Sequence, residues 1–299
     1  MDWPHVLTLW SIDPSIVIGI AVAVVLYLRG WRPVALVGRG RPTRARNAAM
    51  FFAGLAVVVV SLESPIDALS AWLFTFHMTQ HLLLIMVAAP LLVLGDPGLT
   101  MLRGVPLEFR RTVLRVASRQ GWLHSVGHLL ARLNTPVPVF VLFTADLYLW
   151  HWSRLFDLTL RNDTVHVLEH LCFLVTAVLF WGQLIDQRGF HSRLAYVPRA
   201  LYAVAAGAAG NVLAMYFVFA PKPVYAGYAQ LPRRLYGMSV LGDQQTAGAI
   251  MWIPVLFVFG AAFAIFLFKA LQEDERLADA TTYAEYGSFL SHSSGSTHT

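Results

Sequence analysis

The stretch "TFHMTQHLLLIMVAAPLLVLGDP" (residues 75–97) is apolar for long enough to cross a bilayer, yet carries His77 and His81 near its start. A membrane-spanning helix needs ~20 mostly apolar residues. The rest of the chain identifies the solvent around this one. Of 299 residues, 57% are hydrophobic and 13% charged, whereas a soluble domain carries about 25% charged residues. The stretch therefore belongs to a polytopic membrane protein and not to a soluble core.

With 72–94 as one span, six more stretches qualify: 13–30, 47–65, 136–153, 164–185, 199–219 and 245–269. They are long and unbroken, without the period-two alternation of a barrel strand, so they predict helices. The predicted fold is all-α: a bundle of about seven transmembrane helices over residues 1–271. A polar, acidic, then Ser/His/Thr-rich tail follows over 272–299 and is expected to be disordered. Residues 107–132 read as one basic amphipathic helix lying on the membrane surface.

The loops predict an orientation. Seventeen of the 22 basic residues fall on one side, six of them in 29–46 and six in 95–134, and five on the other: Arg154, Arg161, Lys222, Arg233 and Arg234. The positive-inside rule then places the N-terminus outside and the C-terminus in the cytoplasm. The arginines are topology signals, and nucleic acid is not an expected partner. The opening "MDWPHVLTLW" has no basic n-region, so no cleavable signal peptide is expected. A single cysteine, Cys172, excludes an internal disulfide, a CxxC pair and a thiolate cage. There is no Walker loop, no GxGxxG and no GxSxG.

This topology sorts the eleven histidines. His124, His128 and His191 fall on the cytoplasmic side, and His292 and His298 in the tail. His5 precedes the first span. His77 and His81 ("HMTQH") open span 3, His151 closes span 4, and His166 and His170 ("HVLEH") open span 5. Two HxxxH pairs thus descend from one face. Residues i and i+4 differ by about 40° around a helix and ~6 Å along it, so each pair presents two imidazoles from one stripe. Glu63, Asp67, Asp146, Glu169, Asp243 and Gln244 share this level, with Met78 and Met251 close by. Ionisable groups inside a membrane are costly and face the bundle interior.

Each residue also has an ordinary role available. A lone histidine near a helix end is usually interfacial, which suits His5, His124, His128 and His191. Buried methionines usually only pack. Asp146 can pair with Arg154, and "GDQQ" before span 7 is an N-cap signal for Asp243 and Gln244. Two buried HxxxH pairs at one depth are harder to explain in this way. Several imidazoles with thioethers nearby and no thiolate favour copper, with zinc next. Glu169 or Asp67 can fix a histidine tautomer. Haem held by one histidine from each of two helices is the rival. Bound metal should be lost as pH falls through ~6.5.

Three motifs in order, "HMTQHLLLIMVAAPLLVLGDP", "LYLWHWSRLFDLTLRNDTVHVLEHLCFLVTAVLFW" and "LGDQQTAGAIMWIP", resemble the CtaG family of bacterial cytochrome c oxidase assembly factors, the seven-span integral membrane type. The resemblance covers about residues 50–270. The family's usual Trp-His-x-Pro at the end of span 4 is here Trp150-His151-Trp152-Ser153, without the proline. The resemblance implies a multi-pass protein of the bacterial plasma membrane that helps build haem-copper oxidase. Its motif histidines would be His77, His81, His151, His166 and His170, with Asp243 and Gln244 from span 7. The expected function is a copper metallochaperone, not an enzyme, binding copper on the extracytoplasmic side and delivering it to oxidase subunits. A periplasmic copper donor would supply it. A bis-His haem protein and a metal permease are the alternatives.

Overall fold

The computed structural model describes residues 8–35, 41–118, 122–187, 192–231 and 235–295. His5, His191 and His298, and Arg39, Arg119, Arg188, Arg233 and Arg234 of the charge count, lie outside the described residues, as does the side chain of His292. All regular structure among the described residues is helical, as predicted.

Six helices are long and apolar enough to cross a membrane, and a seventh is reached by counting one bent pair as a span. In chain order they begin with α1 (Pro14–Ala35) and α2 (Arg41–Glu63), then the short α3 (Pro65–Ser70) and α4 (Phe74–Leu94). Proline at the first helical position starts α1 and α3, where a missing N–H costs nothing. The Ser64 hydroxyl accepts from Ile66 N at 3.2 Å to cap α3. After α5 (Pro97–Gly104) come α6 (Leu107–Ser118) and α7 (Trp122–Leu133), within the stretch read as one amphipathic helix and on either side of residues 119–121, which lie outside the described residues.

The bent pair is α7 with α8 (Pro136–Trp150), which meet at 78°. Alone, the 15 residues of α8 reach about 22 Å, short of a ~30 Å hydrocarbon core. Pro136, at its first turn, explains the break, because the residue before a proline is pushed out of helical geometry. Then come α9 (Ser153–Thr159), α10 (Asp163–Leu184), α11 (Tyr196–Phe219), the one-turn α12 (Ala226–Ala229) and α13 (Val240–Gly295). The final helix continues past residue 272, into the segment expected to be a disordered tail. Its sequence there, "QEDERLADA", is rich in good helix formers, which the compositional argument for disorder overlooks.

α4 is the axis of the bundle: 56% of Phe74–Leu94 is buried, against 11% of Pro14–Trp31. It packs against α2, α10 and α13, and α11 runs along α13. α1 lies against α5 so closely that a Cβ at Gly30 would overlap the Thr100 carbonyl, and one at Gly104 the Leu26 carbonyl. Within α4, Leu83–Ala88 is a π turn. In that turn Ala89 N bonds to Leu84 O, five residues back. Pro90, next in line, has no N–H to offer Ile85 O. The Trp181 indole supplies the missing donor at 2.8 Å. Away from the histidines, the buried Arg199 guanidinium donates to both Asp186 carboxylate oxygens, at 2.7 and 3.0 Å, so this arginine, counted above among the topology signals, is a structural anchor.

Candidate metal centre

The first turn of α4 exposes amide protons that its own N-cap, Leu73, does not satisfy. Asp243, on α13, takes that role. Its carboxylate accepts from Phe74 N at 2.7 Å, Thr75 N at 3.0 Å and Thr75 Oγ1 at 2.7 Å. One turn deeper, His77 and His81 stack edge to face, ring centroids 4.6 Å apart. α10 begins similarly, with Asn162 Oδ1 accepting from Val165 N. Its His166 and His170 rings lie 4.3 Å apart. The two pairs meet: His77 is 4.9 Å from His166 and 5.8 Å from His170, and His81 is 5.2 Å from His170, centroid to centroid.

Glu169 is inserted between them, fully buried. Its Oε2 is 3.2 Å from His77 Nε2 and its Oε1 3.7 Å from His81 Nε2. One donor atom each from His77, His81, Glu169 and His170 can be chosen so that all four lie within 4.8 Å of one another. Three imidazoles and a carboxylate suit zinc or copper.

The hydrogen bonds test whether such a set fits a cation. The Tyr228 hydroxyl lies 2.7 Å from Ser70 O, which can only accept, so it donates there. Burial pushes this phenol well above its usual pKa, and it keeps its proton. Its oxygen is then free to accept from His77 Nδ1, 3.3 Å away, while His77 Nε2 contacts Glu169 Oε2 at 3.2 Å. Both ring nitrogens of His81, His170 Nε2, His166 Nε2 and Glu169 Oε1 are buried with no hydrogen-bond partner. Unpaired buried polar atoms cost about 1–3 kcal/mol each. Convergent lone pairs beside a carboxylate form a set that a cation would relieve.

His166 is only half buried and stands beside the four. His151 approaches from the opposite side, its ring 5.7 Å from that of His81. The other acidic and amide residues serve different ends. Asp67 accepts from Gln80 Nε2 at 2.8 Å, and not from a histidine. Asp146 accepts from Thr176 Oγ1 at 2.8 Å. Gln244 binds the 217–224 connection, its Oε1 accepting from Val224 N at 2.7 Å. Asp243 caps a helix, but that helix is α4 and not its own. Met78 and Met251 line a cavity next to His81 and His151.

Sequence reading missed Gln80, Tyr225, Tyr228 and Phe156. Gln80 also donates to Ser61 O, tying α4 to α2. Tyr225 donates to His151 O at 2.9 Å and stacks on Phe156, whose ring lies 4.8 Å from His77. The available signal for Tyr225 and Tyr228 was position: aromatics in the connection between spans 6 and 7, on the face where the histidines open their helices.

Proteins of Mycobacterium bovis (Uncharacterized protein Mb0105) and Mycobacterium tuberculosis (Uncharacterized protein MT0111) are each 29% identical to this chain over 265 residues, covering 86% of it and 39% of themselves. A Mycobacterium leprae protein (Uncharacterized protein ML1998) is 28% identical over 291 residues, 93% of this chain and 43% of its own length. The chain thus spans about two fifths of the relatives it matches. No solved structure matches it. Residues 25–273 match the model of the cytochrome c oxidase caa3 assembly factor family, Caa3_CtaG, and the chain, with its histidine motifs, belongs to that family.

Proposed function

We propose that this protein is an assembly factor for haem-copper cytochrome c oxidase in the bacterial plasma membrane, and that copper is its cargo. The distribution of arginines supports an orientation with the histidine end of the bundle on the extracytoplasmic side, where a periplasmic donor could load it. Copper would bind His77, His81, His170 and Glu169, with His166 at the entrance, and leave by ligand exchange to oxidase subunits. Imidazole and carboxylate ligands exchange more readily than a closed thiolate cage, which suits delivery. The reading involves no bond making or breaking in a substrate and no enzyme.

The observation that carries it is the convergence of buried, unpaired donor atoms from α4 and α10 on one point. Bis-His haem between those helices is disfavoured by the direct packing of the imidazoles. Their centroids are 4.3–5.8 Å apart, with no slot for a macrocycle between the helices. A permease would have to continue polar groups to the far side. Below the histidines the cavity lining includes Leu82, Ile85, Phe143 and Val255.

The test is copper stoichiometry of the purified protein, for wild type and His77→Ala/His81→Ala. A fall in copper stoichiometry in the double variant, from loss of the His77/His81/Glu169/His170 site, together with loss of oxidase assembly in cells, is expected. Unchanged copper overturns the site. A Soret band in the purified protein would replace copper with haem.

A further inference from the structure

Beneath the histidine–glutamate cluster lies a cavity of about 40 Å³, room for one water-sized body. Only two of its lining side chains are polar, His81 and His151, and Met78, Met86 and Met251 also line it. Met78 is wholly buried and His151 nearly so.

The His151 proton can be placed. Its Nδ1 lies 2.7 Å from the Leu147 carbonyl oxygen, which only accepts, so Nδ1 carries the hydrogen. Nε2 of the neutral ring is then a bare lone pair. It points at Met78 Sδ, 3.4 Å away, which has no hydrogen either. Two lone-pair atoms therefore face one another in an apolar cavity with nothing to share. An imidazolium would supply a proton, but it would bury a full charge against a weak sulfur acceptor.

A metal ion resolves the contact. With bonds of about 2.0 Å to nitrogen and about 2.3 Å to sulfur, as in zinc sites, a 3.4 Å separation subtends about 105° at the ion, close to the tetrahedral value. Thioether selects soft ions, Cu(I) first among biological ones. Met251 lines the same cavity. His81, both of whose ring nitrogens lack partners, stands between this pair and the cluster above, 5.7 Å from His151 and 4.6 Å from His77 by ring centroids.

We propose that Met78 Sδ and His151 Nε2, supplemented by Met251, form a second metal site, specific for Cu(I) and separate from the His77/His81/Glu169/His170 cluster. The protein would then hold two adjacent sites of different softness, an imidazole–carboxylate one for a divalent ion and an imidazole–thioether one for a monovalent ion. The second site stands or falls independently of whether the upper cluster carries the oxidase's copper.

The experiment is anaerobic titration of the full-length protein in detergent with Cu(I), against a bicinchoninate competitor, and separately with Zn(II). X-ray absorption of the Cu(I) form accompanies it. Wild type is expected to show a sulfur scatterer on Cu(I). Met78→Leu, a volume-conserving change that cores tolerate, should lose that scatterer and weaken Cu(I) at least tenfold, with Zn(II) affinity unchanged. His77→Ala/His81→Ala should lose Zn(II) yet retain sulfur-ligated Cu(I). Cu(I) affinity and spectrum unaltered in Met78→Leu overturn the site, as does a wild-type spectrum without sulfur. Failure of Zn(II) or copper to bind the upper cluster, with sulfur-ligated Cu(I) intact, sinks the function proposed above and leaves this site standing.

Discussion

The chain contains the spacing HxxxH three times, and the third instance shows what the other two are for. His124 and His128 stand on α7, both exposed, with Nε2 atoms 3.0 Å apart. Their rings are as close, 4.4 Å, as those of His77 and His81 or His166 and His170. Nothing converges on them from another helix among the described residues. The α4 and α10 pairs face each other across a carboxylate, shielded from water, with four ring nitrogens and one carboxylate oxygen lacking any hydrogen-bond partner. Spacing four apart is a property of any helix. Opposition between two helices, with unpaired atoms sealed inside, is a property of a site.

The sharpest way to break this contrast is to delete each pair in turn. His77→Ala/His81→Ala should release all copper from the upper cluster, whereas His124→Ala/His128→Ala should change neither stoichiometry nor oxidase assembly. Equal losses would mean that spacing alone suffices. Next in size is Glu169→Gln, which preserves shape but removes the charge among the imidazoles. Metal affinity should fall about 10–100-fold, measured by chelator competition.

A third substitution leaves the metal donors in place and disturbs their platform. Asp243→Ala strips three hydrogen bonds from the start of α4. Thermal unfolding in detergent should show a cost of about 2–3 kcal/mol, with partial recovery in Asp243→Asn. No shift would mean that α4 needs no help at its start. The smallest effect belongs to Asp67. Burial pushes its carboxyl above the usual carboxylate range. Its contribution to stability is therefore complete below about pH 3.9, the ordinary aspartate value, and is lost as pH rises through the raised one. Asp67→Asn keeps an acceptor for Gln80 and cannot ionise. Wild type should lose stability relative to the variant as pH rises above about 4, and an offset independent of pH would contradict the assignment.

The apolar segments were legible because their signal is local: twenty greasy residues need no partner to be recognised. The histidines were legible for a related reason, since topology alone puts both pairs at one end. The rest depends on three-dimensional neighbours. Asp243 reads as the cap of its own helix, because sequence proximity is all a sequence offers, yet it caps a helix 168 residues upstream. Glu169 reads as a supporting residue and turns out to sit among the donors. Tyr228 carries no motif, but its hydroxyl lies 3.3 Å from His77 Nδ1. The π turn at Leu83–Ala88 follows no composition rule; Pro90 and the Trp181 indole explain it only once both are seen together.

The remote cap has a consequence in time. A ribosome that has delivered spans 3 to 5 has already produced all five histidines and Glu169. Tyr228 and Asp243 are still to come, the first in the connection before α13 and the second in α13 itself. A half-made chain thus owns every donor atom but not the parts that orient them. The donor residues are thus made before the residues that hold them in register, and their arrangement is completed only when α13 arrives.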